Sequence, residues 1–176
     1  MVLCQGHNER VLKGIQTILG GLELSLNEEK TKVLDARKER LDFLGFTLGV
    51  KTSLRTGKLF PLITPSREAM AEIKAEIKAL IRRNNLRLPK EMVIRKLNEL
   101  VRGWAGYFYY GNCSRDFTKL KNFFNERVRV YLRRKHAKKS RGYKAYPHRY
   151  LYENLGLYKI PTTAPWTQTV KASGRR

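Results

Sequence analysis

Leu97-Asn98-Glu99-Leu100-Val101-Arg102-Gly103-Trp104-Ala105-Gly106-Tyr107-Phe108 is the densest stretch of this chain. Val93, Leu97, Leu100, Trp104 and Phe108 recur every three or four residues, which makes one apolar helical stripe. Pro89 suits the opening of that helix, and Gly111-Asn112 suits its end. Two glycines inside a helix cost about 1 kcal/mol each relative to alanine. Something should offset that cost at Gly103 and Gly106. Tight packing near Trp104 is the stronger reading, and close approach of a nucleic-acid backbone is the other. Trp104 reads as core. Arg102, beside a residue without a side chain, is well placed to reach a phosphate.

The same periodicity extends to both sides. Upstream, Thr64-Pro65-Ser66 supplies a cap and a first-turn proline. Met70, Ile73, Ile77, Leu80 and Ile81 then share one helical face, and Asn84-Asn85 closes the run. Lys74, Lys78 and Arg82 recur on another face, but Glu72 and Glu76 share the helix, so ordinary surface charge explains them equally well. Downstream, Ser114 is a candidate cap, with Asp116 in the first turn favouring the dipole. Phe117, Leu120, Phe124, Val128 and Tyr131 form that helix's apolar face. Three amphipathic helices with short connections predict a small bundle.

Residues 1–62 read as a small α+β piece. Val2-Leu3-Cys4 predicts a strand. Asn8 predicts an N-cap, followed by a helix carrying Val11, Leu12, Ile15, Ile18 and Leu19 that ends at Gly20-Gly21. Leu22 to Leu26 alternates, and Lys30 to Leu34 and Leu41 to Leu48 predict further strands. A turn between Gly49 and Gly57 folds the chain back into Lys58–Leu62 as a hairpin. The expected class is therefore α+β: a helix with short antiparallel strands and a hairpin, then a mainly α three-helix bundle and a basic tail.

Charge narrows the partners. The chain of 176 residues has 37 Lys+Arg against 15 Asp+Glu, a net +22. A polyanion would relieve the resulting self-repulsion, and nucleic acid, held through counterion release, is the commonest. A membrane surface would call for a basic amphipathic helix or a lipid anchor; the apolar faces here read as core faces, no lipidation motif is present, and no apolar run is long enough to span a bilayer. Cys4 and Cys113 read as free thiols, and the three histidines are scattered without zinc-site spacing. With no signal-peptide pattern at the start, the expected location is cytoplasmic.

Chemistry is sparse. No nucleophile–base set, Walker loop or HExxH motif occurs. Asp35 and Asp42 read as solvated turn and strand-edge residues rather than a metal pair. The best physical site is the stretch from Arg127 to Tyr152, which contains no acid. Its expected RNA contacts are Arg127, Arg133, Arg134, Lys135, Lys138, Lys139, Arg141, Tyr143 and Lys144, joined by Arg102 from the middle helix. Tyr131 belongs to the apolar stripe, whereas Tyr143 and Tyr146 are expected at the surface, where tyrosines stack on unpaired bases.

Three motifs in order resemble one family. Leu97-Asn98-x-x-Val101-Arg102-Gly103-Trp104-x-x-Tyr107-Phe108 resembles the maturase-specific region, or thumb, of group II intron reverse transcriptases. Leu24-x-Leu26-Asn27-x-x-Lys30-Thr31 resembles the palm motif after the catalytic box, and Phe43-Leu44-Gly45-Phe46 resembles the primer-grip hairpin. The resemblance spans roughly residues 1 to 158, including the ending Leu151-Tyr-Glu-Asn-Leu-Gly-Leu-Tyr158.

The resemblance implies a partial palm over 1–63, a three-helix thumb over 64–136, and a basic, partly flexible tail over 137–176. It implies that an intact relative copies RNA into DNA and assists intron splicing. Lys30 matches a lysine near the incoming triphosphate, and Gly45 matches the grip glycine whose bare backbone approaches the primer strand. The family's Tyr-x-Asp-Asp box would precede Val2-Leu3-Cys4, so the chain reads as truncated after it and inactive as a polymerase alone. No cofactor is expected for the fragment, Mg2+ belonging to an intact enzyme. The expected partner is group II intron RNA or a template–primer duplex, with no membrane. The alternatives are a subunit completed in trans by a separate fingers–palm chain, and a non-functional remnant.

Overall fold

Among the described residues, the chain runs as an α-helix, three strands and three more α-helices, with a short 3-10 turn and a π-helical turn in the second half. The computed structural model describes residues 1–163 except Gln5, His7 and Glu28. Two compact units emerge, Met1–Glu39 and the part from Arg40 onward.

In the first unit, α1 spans Asn8–Gly20. The Glu9 N–H donates to Asn8 Oδ1 at 3.1 Å. The apolar stripe of α1 is present, yet the helix buries no residue, and Ile18 is exposed. The strands expected at Val2–Cys4, Leu22–Leu26 and Lys30–Leu34 do not form; these segments are irregular. A strand is completed by a hydrogen-bonded neighbour, and among the described residues none pairs with them. Around Lys30 the chain makes a turn instead, with the Lys30 N–H 3.0 Å from Asn27 Oδ1.

The second unit opens with an antiparallel sheet of β1 (Leu41–Phe43), β2 (Phe46–Thr52) and β3 (Leu59–Pro65), in that order. The single strand expected over Leu41 to Leu48 is in fact a tight hairpin. Phe43 pairs with Phe46 across a two-residue turn. Both central residues have positive φ, 49° at Leu44 and 77° at Gly45. That is the turn whose twist matches paired strands. The second hairpin forms as expected, but Gly49 lies inside β2 opposite Leu62, and the bend sits between Ser53 and Lys58. Asp42 accepts the Thr47 hydroxyl across the β1–β2 pair, and Asp35 accepts the Arg37 N–H, so both aspartates serve local structure.

β3 runs directly into α2 (Arg67–Leu80), capped by Ser66, whose hydroxyl accepts the Ala69 N–H at 3.1 Å. Asn85 closes this helix by donating to the Leu80 carbonyl at 2.9 Å. A short 3-10 turn, Arg83–Arg87, leads to α3 (Lys90–Phe108), which Pro89 opens. The next α-helix, α4, is Ser114–Lys135, and a short π-helical turn at Tyr150–Asn154 follows it; Cys113, not Ser114, holds the α4 cap position and gives no side-chain bond.

The core joins Ile73, Ile77 and Ile81 of the first bundle segment to Leu97, Val101 and Ala105 of α3 and to Phe117, Phe124, Val128 and Tyr131 of α4. Trp104 is half-buried at its margin. The separate tail expected from residue 137 is instead folded onto the bundle: Tyr146, Leu151, Leu157 and Ile160 are buried in the same core. The physical reason is apolar area: burying such side chains is worth roughly 1.5–3 kcal/mol each, a driving force that a solvated tail would forgo. Of the stretch expected to be mobile, Pro161 to Arg176, residues 164–176 lie outside the described part. The sheet also belongs to the helical unit, not to the first: the Asn112 N–H donates to the Ile63 carbonyl at 2.7 Å, and the Ser66 N–H to the Gly45 carbonyl at 2.7 Å.

Candidate nucleic-acid interface

The Asn98-to-Phe108 motif organises two neighbouring segments. The Asn98 amide acts at both ends: Nδ2 donates to the Gly156 carbonyl at 2.8 Å, and Oδ1 accepts the Tyr158 N–H at 2.8 Å. Arg102, exposed as expected, lies with its guanidinium 5.3 Å from the Tyr158 ring centre. It rims an open cleft of about 420 Å³ shared with Lys90 and Arg95. At the other end, the Tyr107 hydroxyl donates to the Leu44 carbonyl at 3.1 Å, and the Phe108 and Phe46 rings sit 4.8 Å apart.

This geometry revises the roles of three glycines. A Cβ on Gly45 would stand 3.1 Å from Phe108 Cζ, so the group that approaches its bare backbone here is an aromatic ring of α3. Gly103 and Gly106 have no neighbour within 4 Å of a built Cβ, so packing near Trp104 does not account for them. Among the described residues nothing packs on them to offset their helical cost. Gly103→Ala and Gly106→Ala together should therefore stabilise the fold by about 1–2 kcal/mol. A urea titration reads this directly, and an unchanged or lower midpoint would show that these helix positions are not free.

The basic segment divides into committed and uncommitted charges. Lys135 is committed: its ammonium donates to the Leu86 and Leu88 carbonyls at 2.8 and 2.7 Å, tying the end of α4 to the α2–α3 connection. That corrects its expected place among the RNA contacts, because the ammonium is engaged by two backbone carbonyls of the α2–α3 connection. Arg134, Lys138, Lys139, Arg141 and Lys144 are exposed, Arg133 and Arg127 half-buried. Among the described residues none of these seven takes part in an ion pair. Their field is uncompensated, which suits a phosphate backbone.

The two tyrosines expected at the surface part company. Tyr143 is 53% exposed. Its hydroxyl donates to Glu126 Oε2 at 2.6 Å, and that bond and the carboxylate's charge push its ionisation upward. Tyr146 is buried, a correction: its ring packs into the core and its backbone carbonyl is taken by Arg129.

Arg129 is the residue that sequence reasoning missed as a distinct element. It is 3% exposed, its Nε donates to the Tyr146 carbonyl at 3.0 Å, and its guanidinium lies 4.8 Å from the Tyr143 ring centre. Glu126 Oε2 is 3.7 Å from its Nη1. One buried arginine thus seats the chain that carries Arg141, Tyr143 and Lys144. The available signal was position: Asn125 and Arg129 are one helical turn apart, beside Phe124 and Val128 of the apolar stripe.

Asn125, also buried, holds the next part of the segment. Its Nδ2 donates to the Tyr152 hydroxyl at 2.8 Å and lies 3.4 Å from His148 Nδ1. The imidazole must be neutral at Nδ1 to accept. Desolvation, followed by the charges of Arg129 and Lys121, lowers the His148 pKa from 6.5. The unfolded chain therefore binds the proton first, and stability is full above the ordinary histidine pKa and declines as pH falls below it. His148→Gln should flatten that part of the stability–pH curve; an identical slope in the variant would remove His148 as the cause.

Residues 70–151 match the family model of the group II intron maturase-specific domain. No curated protein matches the chain.

Proposed function

We propose, from a group II intron maturase-specific domain at residues 70–151, that this chain binds intron RNA through the basic surface at the end of α4 and the segment after it. The observation that carries the reading is the set of exposed cations without an ion-pair partner among the described residues, Arg134 at the end of α4 and Lys138, Lys139, Arg141 and Lys144 on the following segment, which Arg129 seats through the Tyr146 carbonyl. The backbone and shape of a structured RNA are what such a surface reads. Arg102, Arg133 and Arg127 add charge from α3 and α4. The expected setting is the cytoplasm, with splicing assistance as the role. The hairpin at Phe43–Phe46 is braced by Tyr107 and Phe108 and offers Leu44 and Phe43 to a template–primer duplex.

The Mg2+ chemistry of a polymerase does not fit these residues. Among the described residues no three His, Cys, Asp or Glu side chains gather to hold an ion. Lys30 lies in the first unit, in a turn, and no step is assigned to it.

The test is binding to a structured group II intron RNA beside an unrelated RNA of equal length, across a salt series. Preference for the intron RNA that persists as salt rises supports maturase-type recognition. Equal binding, lost together, reduces the function to general polyanion binding.

A second reading has its own observation. The apolar stripe of α1 is only half-buried, with Ile18 exposed and no residue fully buried, as in a piece completed by another chain. In that reading a separate fingers–palm chain restores RNA-dependent DNA synthesis when mixed with this one. An associated pair without synthesis argues against it.

A further inference from the structure

Lys74 and Lys78 of α2 converge on one ring of α4: their ammonium nitrogens lie 5.7 and 5.9 Å from the centre of Phe123. Like charges one helical turn apart repel, and neither lysine takes part in an ion pair among the described residues. The acids of the same helix do not help. Glu72 and Glu76 line a different hollow, beside Gly45, Trp104 and Tyr107. One turn along α4 from Phe123 stands Arg127, whose Nε is buried and has no hydrogen-bond partner among the described residues. Arg82 follows the end of α2 with extended backbone and is exposed.

The two helices pack side by side, and the bond from Lys135 to the Leu86 and Leu88 carbonyls shows that both advance in the same sense. The seam between them is therefore edged by Lys74 and Lys78 on one side and by Phe123 and Arg127 on the other. Arg127 is half-buried, so part of it faces solvent beside the lysines, and cations repeated at one-turn intervals suit an anion that itself repeats along a strand.

We propose that the α2–α4 seam is a second RNA-backbone track, separate from the basic segment after α4, in which Lys74, Lys78 and Arg127 neutralise successive phosphates of one strand. The inference rests on the reading that the chain binds RNA. It joins Arg127, at the start of the charge run of the sequence, to two α2 lysines that lie outside that run, on a helix where acids and bases are equal in number. Phe123 holds the two ammonium groups in place before the RNA arrives.

The experiment compares three full-length proteins on intron RNA across a salt series: the unaltered chain, a seam variant (K74Q, K78Q and R127Q), and a segment variant (K138Q, K139Q, R141Q and K144Q). Neutralising the seam should reduce the log–log salt slope by about 2–3 and weaken binding roughly a hundredfold at physiological salt. A K74Q/K78Q pair, which touches no buried nitrogen, keeps the measurement readable should R127Q disturb the fold, and should lower the slope by about 1–2. Loss of slope in the segment variant with none in either seam variant overturns the seam while leaving the RNA-binding reading intact. No measurable RNA binding by the unaltered chain overturns that reading itself, and the seam with it.

Discussion

Gly111→Ala is expected to destabilise the helical unit by about 4 kcal/mol. Gly111 has φ +62°, and a Cβ there would stand 2.5 Å from both Ile63 Cβ and the Ile63 carbonyl oxygen. The left-handed backbone alone costs an L-residue about 1–2 kcal/mol. The clash adds to it, because a β-branched carbon and a backbone oxygen cannot swing aside. Pushing the strands of contact apart also strains two bonds, Asn112 N–H to the Ile63 carbonyl at 2.7 Å and Ile63 N–H to Asn112 Oδ1 at 3.2 Å. For a chain of this size the melting temperature should fall by roughly 10 °C. Gly57→Ala is the control: φ is +66° there too, but nothing lies within 4 Å, so only the backbone strain remains. Equal melting shifts for the two variants would show that the Ile63 contact is not what Gly111 accommodates.

The second large effect concerns affinity. Neutralising Lys138, Lys139, Arg141 and Lys144 together should weaken RNA binding about a thousandfold at physiological salt and lower the salt slope by roughly 3–4. These side chains are exposed, and none takes part in an ion pair among the described residues, so the fold should tolerate the change. Lys135 is left out because its ammonium braces two carbonyls; Lys135→Gln should show in the melt before it shows in binding. A thermal melt of the quadruple variant that matches the parent, with unchanged RNA affinity, would sink the assignment of this segment.

The sequence was most legible where one period ran long. The stripes from Met70, Val93 and Phe117 onward gave three helices whose apolar faces meet as expected. It was least legible where structure depends on a remote partner. Val2–Cys4 and Lys30–Leu34 have strand composition but no paired neighbour among the described residues. Leu44 defeated the pattern differently: a leucine with positive φ splits one apparent strand into two, and only the neighbouring Gly45 hints at it. In the basic run, charge revealed the segment but not the division of labour within it. Arg129 and Lys135 differ from Arg141 and Lys144 by what lies opposite them in space, seventeen to forty-nine residues away, which no local spacing encodes.

The docking of the last described segment also carries a kinetic meaning. Asn98 reaches Gly156 and Tyr158 across separations of 58 and 60 residues, whereas each helix closes on itself locally. Long loops must be closed before such contacts reward the chain, so the helices should assemble first and this segment should clasp them late. Weakening the clasp, as Asn98→Ala would, should then leave the refolding rate nearly unchanged and appear as faster unfolding. The lifetime of the folded protein, rather than its speed of formation, is what those two bonds to Asn98 govern.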